Sequence, residues 1–441
     1  MIKSAANKII KLGLFGYFNN SGFIKNFATV LGVDILVKAS GFILLPLFLR
    51  LMSQEEFGLY NYFLSIIQIF SLVLNLGLYV SQSKLYHTYD TKGERGKLLF
   101  TIVVTLFLFL ALFCITVIAF GWDNVIISAL FDKHPSYSQY KEILFFSLLV
   151  TVLSFMLTNY FYTSEKIKLV KSYNIYRIVS INLVAVSALF FFKGEAVYLR
   201  LSATYITEFI LLCLFATYLI REMVPVFSRK MMLKCIKLGF PIMLSALFGI
   251  LVNFSDKFLL QRYGSLKELS NYYLAFSFAS IIPLIFASLQ NVWLPIFLKE
   301  KDIEKNFKKT QKLLSKLLLL FSVLAVLIWL LFVVMFWLSI IPHKYFEVMW
   351  ILPILLLTQI FAAMTPLLSN YLIYFERTEV TSVSGLVMSL VSLGLGLWLV
   401  PLLGIYGAAL TALLVNFVYL IIYYYLVVYL KKLYLPKAVV Q

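Results

Sequence analysis

The sequence predicts an all-α polytopic membrane protein: about twelve transmembrane helices in two six-helix lobes around a central cavity. Three observations predict it. Apolar residues fill 62% of the 441 positions and charged residues only 13%, against roughly 45–50% and about 25% in soluble domains. Twelve apolar runs are each long enough to cross a bilayer. Lysine and arginine concentrate in alternate loops between those runs.

A crossing helix needs about 20 mostly apolar residues to span the ~30 Å hydrocarbon core. By that measure the spans are 27–49, 57–80, 98–121, 142–163, 174–192, 197–220, 237–261, 270–297, 314–340, 347–375, 380–400 and 403–430. With the N-terminus in the cytoplasm, 28 of the 38 Lys and Arg residues fall on the cytoplasmic face, in segments 3–25, 84–97, 166–177, 221–237 and 299–316, at Arg377, and in 431–437. The other face receives Arg50, Lys133, Lys141, Lys193, Arg200, Arg262, Lys267 and Lys344, while Lys38 and Lys257 fall inside spans. A wrong helix count would scramble this positive-inside bias, so both termini are expected in the cytoplasm. The formal charge of +18 therefore speaks for topology and anionic lipid headgroups rather than for nucleic acid.

The elements follow in order. Residues 1–26 interleave Lys3, Lys8, Lys11 and Lys25 with Ile9, Ile10, Leu12, Leu14 and Phe15. They lack the continuous apolar core of a signal peptide and read as an amphipathic helix on the cytoplasmic leaflet or a disordered tail. Residues 27–220 form an N-lobe of spans one to six, 221–236 a basic cytoplasmic linker, 237–430 a C-lobe of spans seven to twelve, and 431–441 a cytoplasmic tail. The halves repeat. Leu157-Thr158-Asn159-Tyr160 matches Leu368-Ser369-Asn370-Tyr371, with Gly194 and Gly404 following at nearly the same distance. Glu55-Glu56 and Tyr60-Asn61-Tyr62 echo Lys267-Glu268 and Asn271-Tyr272-Tyr273. Six spans per half give parallel repeats, the arrangement in which one half rocks against the other around a central site.

The chain carries no phosphate-binding Gly-x-x-x-x-Gly-Lys loop and no His-Glu-x-x-His motif. His87, His134 and His343 lie far apart, and Cys114, Cys213 and Cys235 are scattered as packing residues, so no metal site or cofactor is expected. The longest loop is roughly 20 residues, little room for the polar catalytic groups of a lipid-modifying enzyme, and no enzymatic activity is expected. Charge inside the membrane stands out instead, because it usually faces a protein interior or a watery cavity. Asp34 and Lys38 are spaced i,i+4 on one helix face, where they either neutralise one another or serve a ligand. Glu208 has no local partner, and either pairs with Lys38 or titrates. Lys257 either snorkels or faces an anion, and Asp256 is a coupling group, an interhelical glue residue or a cap. Lys38 and Lys257, with Arg50 and Arg262 at the outer mouth and Asn253 and Asn291 at membrane depth, suit an anionic substrate, phosphate above all. Asp34, Glu208 and Asp256 are the candidates for coupling to a proton or sodium gradient.

Three segments carry a family resemblance: Ser40-Gly41 through Leu45-Pro46-Leu47 and on to Arg50-Leu51-Met52-Ser53-Gln54-Glu55-Glu56-Phe57-Gly58-Leu59-Tyr60; Gly239-Phe240-Pro241 followed by Ser255-Asp256-Lys257-Phe258-Leu259-Leu260; and Pro401-Leu402-Leu403-Gly404-Ile405-Tyr406-Gly407-Ala408-Ala409-Leu410-Thr411. Over about 26–430 the chain resembles the O-antigen and capsular polysaccharide repeat-unit flippases of the multidrug/oligosaccharidyl-lipid/polysaccharide exporter superfamily. The resemblance implies a bundle of six plus six helices like that of the multidrug exporters, in a bacterial cytoplasmic (inner) membrane. It implies an undecaprenyl-diphosphate-linked oligosaccharide as substrate, flipped to the outer leaflet for O-antigen, lipopolysaccharide or capsule assembly, with membrane lipids, a glycan polymerase and other assembly proteins as partners. Asp256 and Lys257 are the positions carried over by motif. Drug and metabolite exporters share the twelve-span plan and are the alternative. A membrane scaffold for glycan-assembly enzymes is a third reading.

Overall fold

The computed structural model describes residues 41–131, 138–375 and 377–434. Asp34, Lys38 and the N-terminal segment lie outside them, as do residues 435–441. The described residues fold without strands, as α1 (Gly41–Leu51), α2 (Gln54–Leu74), α3 (Leu78–Tyr86), α4 (Lys92–Ala119), α5 (Trp122–Leu130), α6 (Ser138–Thr163), α7 (Ile167–Phe191), α8 (Ala196–Ile220), α9 (Arg229–Val252), α10 (Ser255–Tyr263), α11 (Leu266–Ala279), α12 (Ile281–Lys299), α13 (Ile303–Trp337), α14 (Val348–Tyr374) and α15 (Thr378–Tyr434).

Among the described residues, ten helical stretches are long and apolar enough to cross a membrane. The 57 residues of α15 would reach about 85 Å at 1.5 Å per residue, enough for two crossings. Gly404 breaks the helix with φ +56°, a conformation that costs glycine little, at the Pro401–Gly404 turn expected from sequence. With α15 counted as two crossings and α1 added, the described helices are consistent with the twelve expected spans. The outer faces of the long helices carry many exposed apolar side chains. Tyr176, Val179 and Leu183 on α7, and Leu319, Val323 and Leu327 on α13, are each more than half exposed, far beyond what water tolerates as a contiguous patch.

Contacts sort the loops onto two ends as the charge pattern predicts. At the basic end Lys166 pairs with Glu222, the Arg95 side chain donates to the Tyr89 carbonyl, and Lys309 reaches Glu300 at 2.6 Å. At the opposite end Arg50 donates to the Ser339 carbonyl at 2.7 Å, Lys344 to the Met52 carbonyl at 2.8 Å and Gln54 to Asn271 at 2.7 Å. α6 and α7 pack on α8, α13 and α15 pack on α14, and the two groups meet where α2 crosses α11 and α3 crosses α9.

Some boundaries differ from the sequence reading. The span expected at 57–80 is broken after Asn75, where Leu76 and Gly77 take φ of +52° and +68°, so α3 leaves at a new angle. The seventh is broken at Asn253–Phe254. α9 begins at Arg229, inside the stretch expected as linker, because Ser228 caps it. α5 was not expected, because nine residues are too few to register as a span. The fifth span begins at Ile167 rather than 174, which puts Arg177 nearly three turns inside the helix rather than at its cytoplasmic start.

Candidate functional site

Two helix starts set the frame of the central cavity. Ser53 and Glu56 close a capping box on α2, and Ser265 and Glu268 close the same box on α11, each satisfying otherwise unpaired helix N–H groups. The boxes lie 212 residues apart, and the same interval pairs Phe42 with Phe254, Arg50 with Arg262, Tyr60 with Tyr272 and Ser65 with Ser277. This register corrects by one residue the alignment of 60–62 with 271–273. The other repeat holds as bonding: the Asn159 amide donates to Gln82 and to the Tyr79 carbonyl, and Asn370 accepts from Gln290 at 2.7 Å. Each half thus ties its fourth span to its second through an Asn–Gln contact.

Between α1, α2 and α9–α12 lies a cavity of about 760 Å³. On α2 it is lined by Asn61, Ser65 and Gln68, and on α11 and its end by Tyr273, Ser277 and Ser280. Each trio is spaced i, i+4, i+7, one face of a helix, and the trios correspond under the 212-residue register. So do Gly41, Phe42 and Leu45 with Asn253, Phe254 and Lys257, all lining residues. The cavity is therefore built on the pseudo-symmetry of the two halves. Its charge is not symmetric, because the position matching Leu45 is Lys257, the only charged residue among the described lining residues.

Lys257 is 4% exposed, a placement that requires polar partners. Its Nζ donates to the Asn253 carbonyl at 2.6 Å, stands 3.3 Å from Asp256 Oδ1 and lies 4.1 Å from the Phe276 ring centroid, close enough for cation–π attraction. Asp256 is buried, does not line the cavity, and accepts a hydrogen bond from the Tyr272 hydroxyl. The ion pair is at the long end of hydrogen-bond range, and an ammonium has three donors. Lys257 can therefore meet an anion in the cavity without abandoning its carbonyl.

The remaining sequence candidates scatter. Asn253 lines the cavity, and its amide donates to the Gly249 carbonyl. Asn291 lies on α12, and its side chain is outside the described set. Arg50 and Arg262 are exposed at the end opposite the basic loops, away from the lining. Glu208 does not line the cavity either. The expectation that it lacks a local partner is corrected: Arg177, one helix away, reaches it at 2.8 Å. Asn61, Ser65, Gln68, Ser277 and Ser280 were missed. Their signal was the repeated i, i+4, i+7 polar spacing, visible only once the register is known.

On both sides of the cavity the halves touch closely. A Cβ on Gly58 would lie 2.5 Å from the Leu266 carbonyl oxygen, and one on Gly239 would lie 2.5 Å from that of Gly77. Beside the second contact the Ser81 hydroxyl donates to the Cys235 carbonyl at 2.6 Å.

Comparison with known proteins agrees with this architecture. A lipid II flippase, MurJ, in an inward closed conformation aligns over 90% of this chain and 86% of its own, with 16% identity and a TM-score of 0.72. An inward-facing multidrug resistance MATE family transporter of the MOP superfamily aligns over 92% and 95%, with 14% identity and a TM-score of 0.64. An outward-facing structure, also of a MATE family transporter, gives 0.56 at 13% identity over the same shares. These likenesses establish the fold. Compared by sequence with curated proteins, the chain matches none. Residues 23–301 match the model of the family described as polysaccharide biosynthesis protein, and the chain belongs to that family.

Proposed function

We propose that the chain is a flippase that carries a polyprenyl-diphosphate-linked oligosaccharide from the cytoplasmic to the outer leaflet of a bacterial inner membrane, by alternating access. The observation that carries this reading is Lys257, the one buried cation among the described lining residues of a cavity whose other described lining is amide, hydroxyl and apolar. That chemistry suits a diphosphate with sugars, while the polyprenyl tail stays in lipid. Lys38, the other lysine that the sequence places inside a span, is the second cation in this reading. Arg50 and Arg262, matched by the 212-residue register, attract the anion at the outer mouth. The basic end is the cytoplasmic one, and both termini lie there. Asp256 is the carboxylate best placed to couple a proton or sodium gradient to the anion, since it touches Lys257 directly; Asp34 and Glu208 are the further candidates. The product serves surface-glycan assembly, O-antigen or capsule, and the protein transports rather than catalyses.

The test is flipping of a fluorescent polyprenyl-diphosphate oligosaccharide in proteoliposomes. The reading expects protein-dependent flipping that falls at least tenfold in Lys257→Gln. Flipping that is absent, alongside uptake of lipophilic cations, would assign the chain to the exporters instead. Intact flipping in Lys257→Gln would remove the cavity cation from the mechanism.

A further inference from the structure

A second groove, of about 480 Å³, opens at the basic end between α13 and α15, over Leu368 of α14. On α13 its lining includes Lys308, Gln311, Lys312 and Ser315, which share one helix face by their i,i+3 and i,i+4 spacing. The basic run here divides by how its charges are used. Lys305 and Lys309 both reach Glu300, at 3.4 and 2.6 Å, and Lys431 reaches Glu304 at 3.5 Å. Lys308 and Lys312 make no ion pair among the described residues. Gln311 donates across the groove to the Tyr424 hydroxyl at 3.4 Å. Beyond Ser315, toward mid-membrane, the same side of α13 continues as Leu319, Val323 and Val326, each more than half exposed.

From the basic end inward, the groove presents Lys308, the Gln311 amide, Lys312 and the Ser315 hydroxyl, two uncompensated cations interleaved with neutral donors, and then an exposed apolar track. An anionic glycerophospholipid carries a phosphate and ester carbonyls at one end and acyl chains at the other, which matches a polar, cationic groove that runs into an apolar track. Basic pockets between helices at a membrane surface are a known chemistry for such headgroups. We propose that this groove binds an anionic glycerophospholipid of the basic-end leaflet, with its phosphate on Lys308 and Lys312 and its acyl chains along α13. The site needs only the membrane placement of the chain, so it stands or falls independently of the flippase reading. A free phosphate would satisfy the lysines and leave the apolar track unused.

The test is titration of the purified full chain in neutral detergent with phosphatidylglycerol, and separately with phosphatidylcholine, reading bound lipid by native mass spectrometry. Phosphatidylglycerol should bind with preference. The Lys308→Gln/Lys312→Gln double variant should weaken it about 30-fold and either single variant about 5-fold, taking the usual gain per lysine near a surface. Lys305→Gln/Lys309→Gln, which removes the same formal charge from lysines already held by Glu300, should stay within about threefold of the parent. Millimolar inorganic phosphate should not displace the lipid. Equal losses in the two double variants, equal binding of the two lipids, or displacement by inorganic phosphate would each overturn the proposal. All substituted lysines are exposed, and unchanged lipid-free thermal unfolding confirms that the variants fold.

Discussion

Gly239→Ala should open the basic end of the bundle. The new Cβ would stand 2.5 Å from the Gly77 carbonyl oxygen, 2.7 Å from its carbon and 2.8 Å from the Leu76 oxygen. All three are backbone atoms, so no side-chain rotation relieves them. Reaching ordinary contact, from 2.5 to about 3.4 Å, parts α9 from the α2–α3 turn by about 0.9 Å. Overpacking of this kind costs about 1–3 kcal/mol. If the halves separate here during transport, only the closed conformation bears that cost, and the equilibrium moves about 5- to 150-fold toward the open one. Cys235 reports it: the residue is 1% exposed and its carbonyl is held by Ser81 across the same contact. In a background with Cys114 and Cys213 replaced by serine, a membrane-impermeant maleimide should label Cys235 faster in Gly239→Ala than in the parent. Gly249→Ala, on the same helix with nothing within 4 Å of its Cβ, should not change the rate. An unchanged rate in folded Gly239→Ala would refute the assignment of this contact as a gate.

Further predictions follow from the same contacts. Gln54→Ala removes bonds to Asn271 and to the Lys344 carbonyl, and should loosen the opposite end by about 1 kcal/mol, read as faster labelling of a cysteine introduced at Ser270. Glu208→Gln leaves Arg177, which lies inside the membrane-spanning helix α7, without its carboxylate; the loss should be about 3–5 kcal/mol, the cost of breaking a pair held away from water, measured by thermal unfolding. Glu222 lies in the loop after α8. Burial pushes its carboxyl up, but the Lys166 hydrogen bond, the Tyr160 hydroxyl and nearby lysine charge outweigh this and hold it below 4.5. A carboxyl depressed on folding contributes stability above its unfolded value and loses it as pH falls through the folded one. The difference in Tm between the parent and Glu222→Gln should therefore be full at pH 7 and vanish as acid carries the pH below 4.5 and through that depressed value.

Much of the fold was legible because the bilayer imposes a simple rule of length and hydropathy, and because loop charge alternates. The double crossing in α15 could be read from Pro401 and Gly404 alone. Breaks such as Leu76–Gly77 were not legible, because apolar residues continue through them and only the close approach of α9 explains the turn. The site was half legible. Lys257 stood out as a charge in an apolar run, and the structure puts it on the cavity wall. Glu208 stood out equally, but its partner Arg177 is 31 positions away on another helix and falls at the cytoplasmic start of the expected fifth span, where it groups with Lys166, Lys168 and Lys171. Serine, asparagine and glutamine carry no such contrast. Ser65 and Gln68 become informative only when matched to Ser277 and Ser280, and that match rests on two capping boxes whose closure is a structural fact.

The most direct test is equilibrium binding of a polyprenyl-linked oligosaccharide with and without its diphosphate, measured on the parent and on Lys257→Gln. The cationic cavity predicts that removing the diphosphate weakens binding to the parent at least tenfold, and that the two ligands bind Lys257→Gln nearly alike. Equal affinity of the parent for both ligands would contradict anion recognition in the cavity, and with it the role assigned to Lys257.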